Sequence, residues 1–337
     1  MTIEIRKYPG DKETWNKFID ESNNGTIFHR LDFLEYHGDK FKANEHHLAW
    51  YKDGKLIAVM PMAIFLEPEI LRLDCGGFCH KKVSYVYRTA KSPYGASYGG
   101  IVFKESLSLK DAEEIVQSMV SYLKELNVNK LIITVTPSIY LSKNSNYIDF
   151  FLLKCGAECI NSDLTCYIDI VEDMNSYFNR SARKAVKKAI KNDVRVVRNN
   201  DVENFYSILS ENRKKFNATP VHSIDDIEWL MNKMPDDIVL FMAYLDDWTP
   251  IAGSLVFKCN DRVILVFYWA HLDEYQQYRP ISILVYEISK WAYENGIKFF
   301  DYGTQTKDME VNYGGSRFKE TFNATGVFRK TYKLVIK

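Results

Sequence analysis

Three groups of residues hold side chains whose type and spacing could support chemistry. Cys75/Cys79 and Cys155/Cys159 share an x3 spacing, with His80 beside the first pair, and zinc sites favour spacings of two to four. The second pair, however, sits in Leu-Leu-Lys-Cys-Gly-Ala-Glu-Cys-Ile, with no histidine and with apolar neighbours. Both pairs are therefore read as structural thiols, and no metal is expected. The second group is Arg180-Ser-Ala-Arg-Lys-Ala-Val-Lys-Lys-Ala-Ile-Lys, which opens a stretch to Arg198 with eight basic residues and one acid, Asp193. Such a run is either a solvated helix face or a docking surface for phosphates, on a substrate nucleotide or a tRNA acceptor stem. The third group is C-terminal: Asp301-Tyr-Gly-Thr closes an apolar strand, and Tyr313-Gly-Gly-Ser-Arg-Phe-Lys-Glu-Thr-Phe322 follows a polar loop. There is no phosphate-binding glycine loop, nucleophile elbow or HExxH. That leaves mechanisms that work by positioning.

The elements that must position these groups follow from composition and pattern. A chain of 337 residues suits two domains. Its 46% apolar and 26% charged residues support packed cores and exclude wholesale disorder. With 44 basic and 44 acidic residues, a surface built throughout to coat nucleic acid or an anionic membrane is excluded, while a local basic face is not. Six cysteines do not make a disulfide framework in a chain this long. Met1 to Glu13 contains no apolar secretory core, and the longest apolar runs, 238–245 and 263–270, are strand-sized. A soluble, cytoplasmic protein without a transmembrane segment is expected.

In the first half, helical stretches at Lys12–Ser22 and Thr26–Leu34 precede a hairpin, Leu48–Tyr51 and Leu56–Val59, turned by Asp53-Gly54. A loop-rich segment with Pro93, Gly95, Gly99 and Gly100 follows. Ser108 and Asp111 then cap a helix with Ala112, Ile115, Met119 and Leu123 on its apolar stripe, and Leu131–Thr136 is the next strand. The second half repeats the plan: a hairpin about Asp246–Pro250, a strand at Val263–Ala270, a helix opened by Pro280 and ended by Gly296, and a strand at Ile297–Tyr302. This predicts an α/β (α+β) chain of two similar domains, each a mixed central sheet with flanking helices, spanning 1–165 and 166–337.

The C-terminal segment resembles the GNAT-like acyltransferases, in the branch of the FemAB-like peptidoglycan-bridge aminoacyltransferases. Four features carry the likeness: the arginine-rich helix before Val194-Arg-Val; Asn212-Arg213-Lys-Lys-Phe216 with Pro220-Val-His222; Pro280 opening the helix that leads to Phe300-Asp-Tyr-Gly303; and Gly314-Gly315 before Phe318-Lys319 and Phe322. They span about residues 175–330, with the first half matching in its Phe28-to-Pro61 plan. The resemblance implies two tandem GNAT-type domains and attack of an amine on an activated acyl carbonyl. The donor would be aminoacyl-tRNA or an acyl-CoA, with no permanently bound cofactor. It further implies that strands 263–270 and 297–302 splay apart to hold the donor. The helix at Pro280 would aim its N-terminus at donor phosphates near Gln277, Tyr278 and Arg279. Gln277-Tyr-Arg-Pro-Ile-Ser282 lacks the glycines of the acetyl-CoA loop.

On that resemblance Lys319 is linked to acyl transfer, where a fixed ammonium can stabilise a tetrahedral oxyanion or the departing ribose oxygen. Phe318 would pack under the donor end, alongside Tyr268. Asp301 would accept a proton or orient the amine, or else cap the following turn. His271 is a candidate general base, or a structural histidine at a strand end. The acceptor, a nucleotide- or lipid-linked amine, would be gripped in a cleft by Arg213, Arg180, Arg183, His222 and a first-domain lysine, Lys40 or Lys42. Tyr85, Tyr87, Tyr94 and Tyr98 would rim that cleft or support a loop. The expected activity is N-acyl transfer onto a cell-envelope precursor from aminoacyl-tRNA. The alternatives are acyl-CoA-dependent transfer to an aminosugar or other small amine, and a nucleic-acid-binding module without turnover.

Overall fold

The computed structural model describes residues 3–74, 80–215 and 217–337, with side chains outside 69–85; Cys75, Cys79 and the side chains of His80 and Tyr85 therefore lie outside it, as does Phe216. The chain divides into two units: Met1–Ser162 with Arg329–Lys337, and Asp163–Phe328. The sequence division at 165/166 differs chiefly at the C-terminus, whose last strand returns to the first unit.

The first unit runs β1 (Ile3–Lys7), α1 (Lys12–Asp20), α2 (Leu31–Leu34), β2 (Leu48–Lys52), β3 (Lys55–Met60), β4 (Ala63–Asp74), β5 (His80–Ser92), β6 (Val102–Phe103), α3 (Leu109–Glu125), β7 (Lys130–Thr134) and α4 (Tyr147–Lys154). The expected second helix is a 3-10 turn, Ile27–His29, followed by the single turn of α2. Asp53 and Gly54, both at positive φ, turn the β2–β3 hairpin as the Asp-Gly pair requires. The long β4–β5 hairpin was not expected. Pro68 punctuates β4, and it is tolerated because β4 is an edge strand. α3, capped by Ser108 accepting from the Asp111 N–H at 3.1 Å, crosses over to make β7 parallel to β5. Its buried face, Ala112, Ile115, Val116, Met119 and Leu123, packs on Trp50, Met60 and Leu131.

The second unit runs β8 (Glu158–Asp169), α5 (Met174–Tyr177), α6 (Arg180–Lys191), β9 (Arg195–Arg198), α7 (Val202–Lys214), α8 (Ile224–Lys233), β10 (Ile238–Tyr244), β11 (Pro250–Lys258), β12 (Val263–His271), α9 (Pro280–Glu294), β13 (Phe299–Thr304), β14 (Thr306–Lys307), β15 (Glu310–Val311) and α10 (Tyr313–Glu320). β16 (Thr325–Val335) follows, and from Arg329 onward it belongs to the first unit, pairing antiparallel with β7. The sheet order in the second unit is β8-β13-β12-β11-β10-β9, antiparallel except for the parallel pair β12–β13 that α9 connects. α9 buries Ile283, Leu284, Val285, Ile288 and Ala292, and the small stripe of α6, Ala182, Val186 and Ala189, joins the same core. Each unit thus has the mixed sheet with flanking helices that the sequence predicts. No helix among the described residues is long and apolar enough to cross a membrane.

Candidate active site

The parallel pairing of β12 and β13 covers only Val263–Phe299, Ile264–Phe300 and Leu265–Asp301. Two irregularities bracket the point where it stops. In β12 the register against β11 jumps from Leu255–Tyr268 to Val256–Val266, so Phe267 is an extra residue that bends the strand. In β13 the register against β8 shifts between Asp301 and Thr304, with Gly303 at φ +76°. The buried Asp301 carboxylate pins this second bulge: its Oδ1 accepts from Gly303 N–H at 2.7 Å and from Thr165 Oγ1 at 2.5 Å. The strands therefore part beyond Leu265 and Asp301, as the resemblance implies.

Beside this parting lies a cavity of about 560 Å³. Trp269, Pro280, Ile281 and Phe318 supply apolar wall, while Lys215, Arg279 and Lys319 bring cations, with His271, Asp273, Asn212, Gln276, Ser282 and Gly315 completing the lining. Lys319 reaches it from α10, and its ammonium donates to the carbonyls of Gly303 at 3.2 Å and Thr304 at 2.9 Å. The carbonyls turned by the bulge thus fix the ammonium. Burial pushes the neighbouring Cys166 thiol up to about 12, against the pull of Lys319. That thiol stays protonated and is not a nucleophile at neutral pH.

α9 presents its first turn to the cavity through Arg279, Pro280, Ile281 and Ser282. Pro280 sits at the first helical position, where its missing N–H costs nothing. Arg279 caps the helix in the left-handed region, φ 60°, ψ 43°, a conformation costing a non-glycine residue about 1 kcal/mol. Its guanidinium and the helix N-terminus together make one anion-attracting corner. Elsewhere on the lining, Lys215 pairs with Asp273 at 2.6 Å, and Asp273 lies 3.5 Å from His271 Nε2. Burial lowers the His271 pKa, Asp273 opposes and Lys215 reinforces, so the imidazole is neutral at pH 7. Asn212 donates to the His271 carbonyl at 3.4 Å.

Of the expected residues, Lys319, His271, Phe318 and Arg279 line the cavity; the others do not. Asp301 is fully buried and holds the bulge, which is the turn-capping alternative. Tyr268 points to the other face of β12. Its hydroxyl accepts from Val221 N–H and His222 N–H at 3.1 and 3.2 Å and meets His222 Nδ1 at 3.0 Å, while the Arg213 guanidinium lies 5.6 Å from its ring centre. Tyr268, His222 and Arg213 are thus one cluster under α7, and burial lowers the His222 pKa. Positions 268 and 271 cannot share a face after the bulge, whereas 269 and 271 must. Strand alternation was the signal that would have picked Trp269. Gln277 is exposed and Tyr278 packs on the core, because Asp273–Tyr278 is a 3-10 helix that brings Gln276 forward. Arg180 and Arg183 lie on α6, outside the lining.

In the first unit, Lys40 is exposed with its ammonium 5.0 Å from the Phe41 ring centre, and Lys42 pairs with Asp39 at 3.5 Å. Tyr94 and Tyr98 are buried, Tyr94 donating to Glu45 at 2.9 Å and Tyr98 lying under Arg329. Tyr87 lies half-buried with the Lys130 ammonium 5.3 Å from its ring centre.

Comparison with known proteins agrees with this fold. Residues 176–320 match the family profile of the acetyltransferase (GNAT) domain. The crystal structure of FemX is similar over 98% of this chain and 97% of its own, at 14% identity and a TM-score of 0.71. L-PGS from Bacillus licheniformis is similar over 97% and 92%, at 9% identity and TM-score 0.57. The tandem GNAT protein from the clavulanic acid biosynthesis pathway is similar over 99% of each chain, at 10% identity and TM-score 0.53. No curated protein matches the sequence.

Proposed function

We propose that this chain, with a GNAT domain match over residues 176–320 and the fold of FemX, is an acyltransferase that moves an aminoacyl group from aminoacyl-tRNA to an amine of a nucleotide- or lipid-linked cell-envelope precursor. The observation that carries the reading is the Lys319 ammonium, held at the parting of β12 and β13 on the wall of a cavity that combines cations with apolar surface. The donor's 3′-terminal phosphates would lie against Arg279 and the start of α9, and its terminal base or side chain against Trp269 and Phe318.

The acceptor amine attacks the ester carbonyl carbon, and a C–N bond forms as the carbonyl π electrons move to oxygen. Lys319 stabilises that oxyanion. Collapse breaks the bond to the ribose oxygen, which takes a proton lost by the attacking nitrogen and leaves as the 3′-terminal hydroxyl. In this reading His271, neutral and on the cavity wall, relays that proton directly or through water.

One local feature favours the ester over a CoA thioester. A glycine loop lets a pyrophosphate approach bare backbone N–H groups, whereas here Asp273–Tyr278 is a 3-10 helix of bulky side chains, followed by left-handed Arg279. The test is incubation with labelled aminoacyl-tRNA and candidate amines. Acceptor-dependent loss of the ester with label appearing in an amide supports the reading. Release of free thiol from acyl-CoA with aminosugar acceptors, and no ester consumption, would replace it with the CoA-dependent alternative.

A further inference from the structure

The exposed side of α6 has no role in the cavity. Arg180, Lys184, Lys187 and Lys191 stand at i, i+4, i+7 and i+11, which aligns them in one stripe along about 18 Å of helix. Lys188 flanks the stripe, α6 carries no acidic residue, and none of these five cations makes an ion pair among the described residues. In a chain with equal numbers of basic and acidic residues, such an unneutralised face is a local departure. The helix also begins against the end of α10. Asn179, its N-cap, donates its backbone N–H to the Thr321 carbonyl at 3.3 Å, two residues beyond Lys319, and the rings of Phe178 and Phe322 lie 4.9 Å apart. The row of charge therefore starts beside the end of α10, the helix that carries Lys319.

We propose that this stripe is a docking rail for the phosphate backbone of a double-stranded RNA stem, the stem that carries the donor ester. The choice of RNA rests on the aminoacyl-tRNA reading above. Duplex RNA fits because it offers closely spaced phosphates along a line and demands no sequence readout from flexible lysines. A membrane surface fits less well. The apolar stripe of α6 is already buried in the core, leaving Ile190 as its one exposed large apolar side chain.

The test is the triple variant Lys184→Gln, Lys187→Gln and Lys191→Gln, which removes charge while keeping good helix formers. Two donors are compared: an aminoacylated RNA hairpin of acceptor-stem length ending in CCA, and the aminoacylated CCA trinucleotide. The expected result is a roughly 10–100-fold loss of kcat/KM for the hairpin, no change for the trinucleotide, and a salt-dependence slope shallower by about one per lysine removed. Equal activity of variant and parent on both donors overturns the proposal, as does an equal loss on both. If the parent turns over neither ester, the acyl-transfer reading fails separately, and binding of the uncharged hairpin decides the rail. Weaker hairpin binding by the variant supports it. Unchanged hairpin binding overturns it, all the more if the variant loses affinity for phosphatidylglycerol vesicles, which makes the face a lipid-docking one.

Discussion

Lys319→Met separates the two jobs of the ammonium, because methionine keeps the apolar stem and loses the charge. In the folded protein the ammonium donates to two carbonyls, Gly303 and Thr304, at 3.2 and 2.9 Å. Net hydrogen bonds at a partly exposed position contribute about 1 kcal/mol each, so the variant should lose roughly 2 kcal/mol of stability. Removal of one oxyanion donor costs about 10²–10³ in kcat, and the opening of this site to water favours the lower end. The expected outcome is thus a kcat lower by about 100-fold, or roughly 2.7 kcal/mol, with KM changed less than about threefold. The assay is transfer of labelled aminoacyl groups at saturating acceptor, under conditions where circular dichroism shows the variant fully folded. A folded variant whose kcat stays within about fivefold of the parent would refute the argument, since the ammonium would then be only a clasp for the bulge. A lower kcat fully regained when the protein is stabilised by osmolyte would refute it equally.

Gly303→Ala places a Cβ in ordinary van der Waals contact, 3.7 Å from the Val266 carbonyl oxygen, yet at φ +76°. The cost is therefore conformational, about 1 kcal/mol or slightly more, with a drop in activity as the carbonyl that holds Lys319 shifts; urea unfolding and turnover measured together check this. Asp301→Asn keeps an oxygen to accept from Gly303 N–H, so a residue that only pins the bulge should retain activity within about tenfold. A loss beyond 10³ with the fold intact would instead make Asp301 the proton acceptor. Burial lowers the pKa of fully buried His29, and of His47, to about 4, below the ordinary value near 6.5. Both stay neutral in the folded state while the unfolded chain takes up protons, so their stabilisation is present above pH 6.5 and is lost as the pH falls towards 4. For His29 alone the loss is roughly 2 kcal/mol at pH 5. Urea midpoints that do not move between pH 7 and 5, where carboxylates hardly titrate, would contradict this.

Much of this was readable before any coordinates. The Asp-Gly hairpin, the Ser108 cap, Pro280 and Gly296 are local signals whose backbone requirements act within a few residues, and the structure follows them. The parting of β12 and β13 came from resemblance, since nothing in Val263–His271 announces a bulge at Phe267. That bulge is a property of pairing with β11, which no single-strand pattern contains. Tyr268 needed no such knowledge: three residues from His271 on the same side of the bulge, it must face the other way. Trp269 and His271 share the cavity face by simple alternation, and Asn212 and Lys215 share a helix face by their i, i+3 spacing. The β4–β5 hairpin escaped because an internal proline reads as a break unless the strand is known to lie at an edge.

The return of residues 329–337 to the first unit bears on how the protein is made. β7 lacks its β16 neighbour, and the first core lacks Tyr332 and Leu334, until residue 335 has emerged from the ribosome. The segment translated first is therefore completed last, while 163–328 already has all its own strands. A chain that lacks β16 should therefore hold a folded second unit attached to an unfinished first, the reverse of the usual N-to-C order. A protease pulse on stalled chains carrying residues 1–328 followed by an unrelated linker long enough to fill the exit tunnel would show it, with protection confined to 163–328.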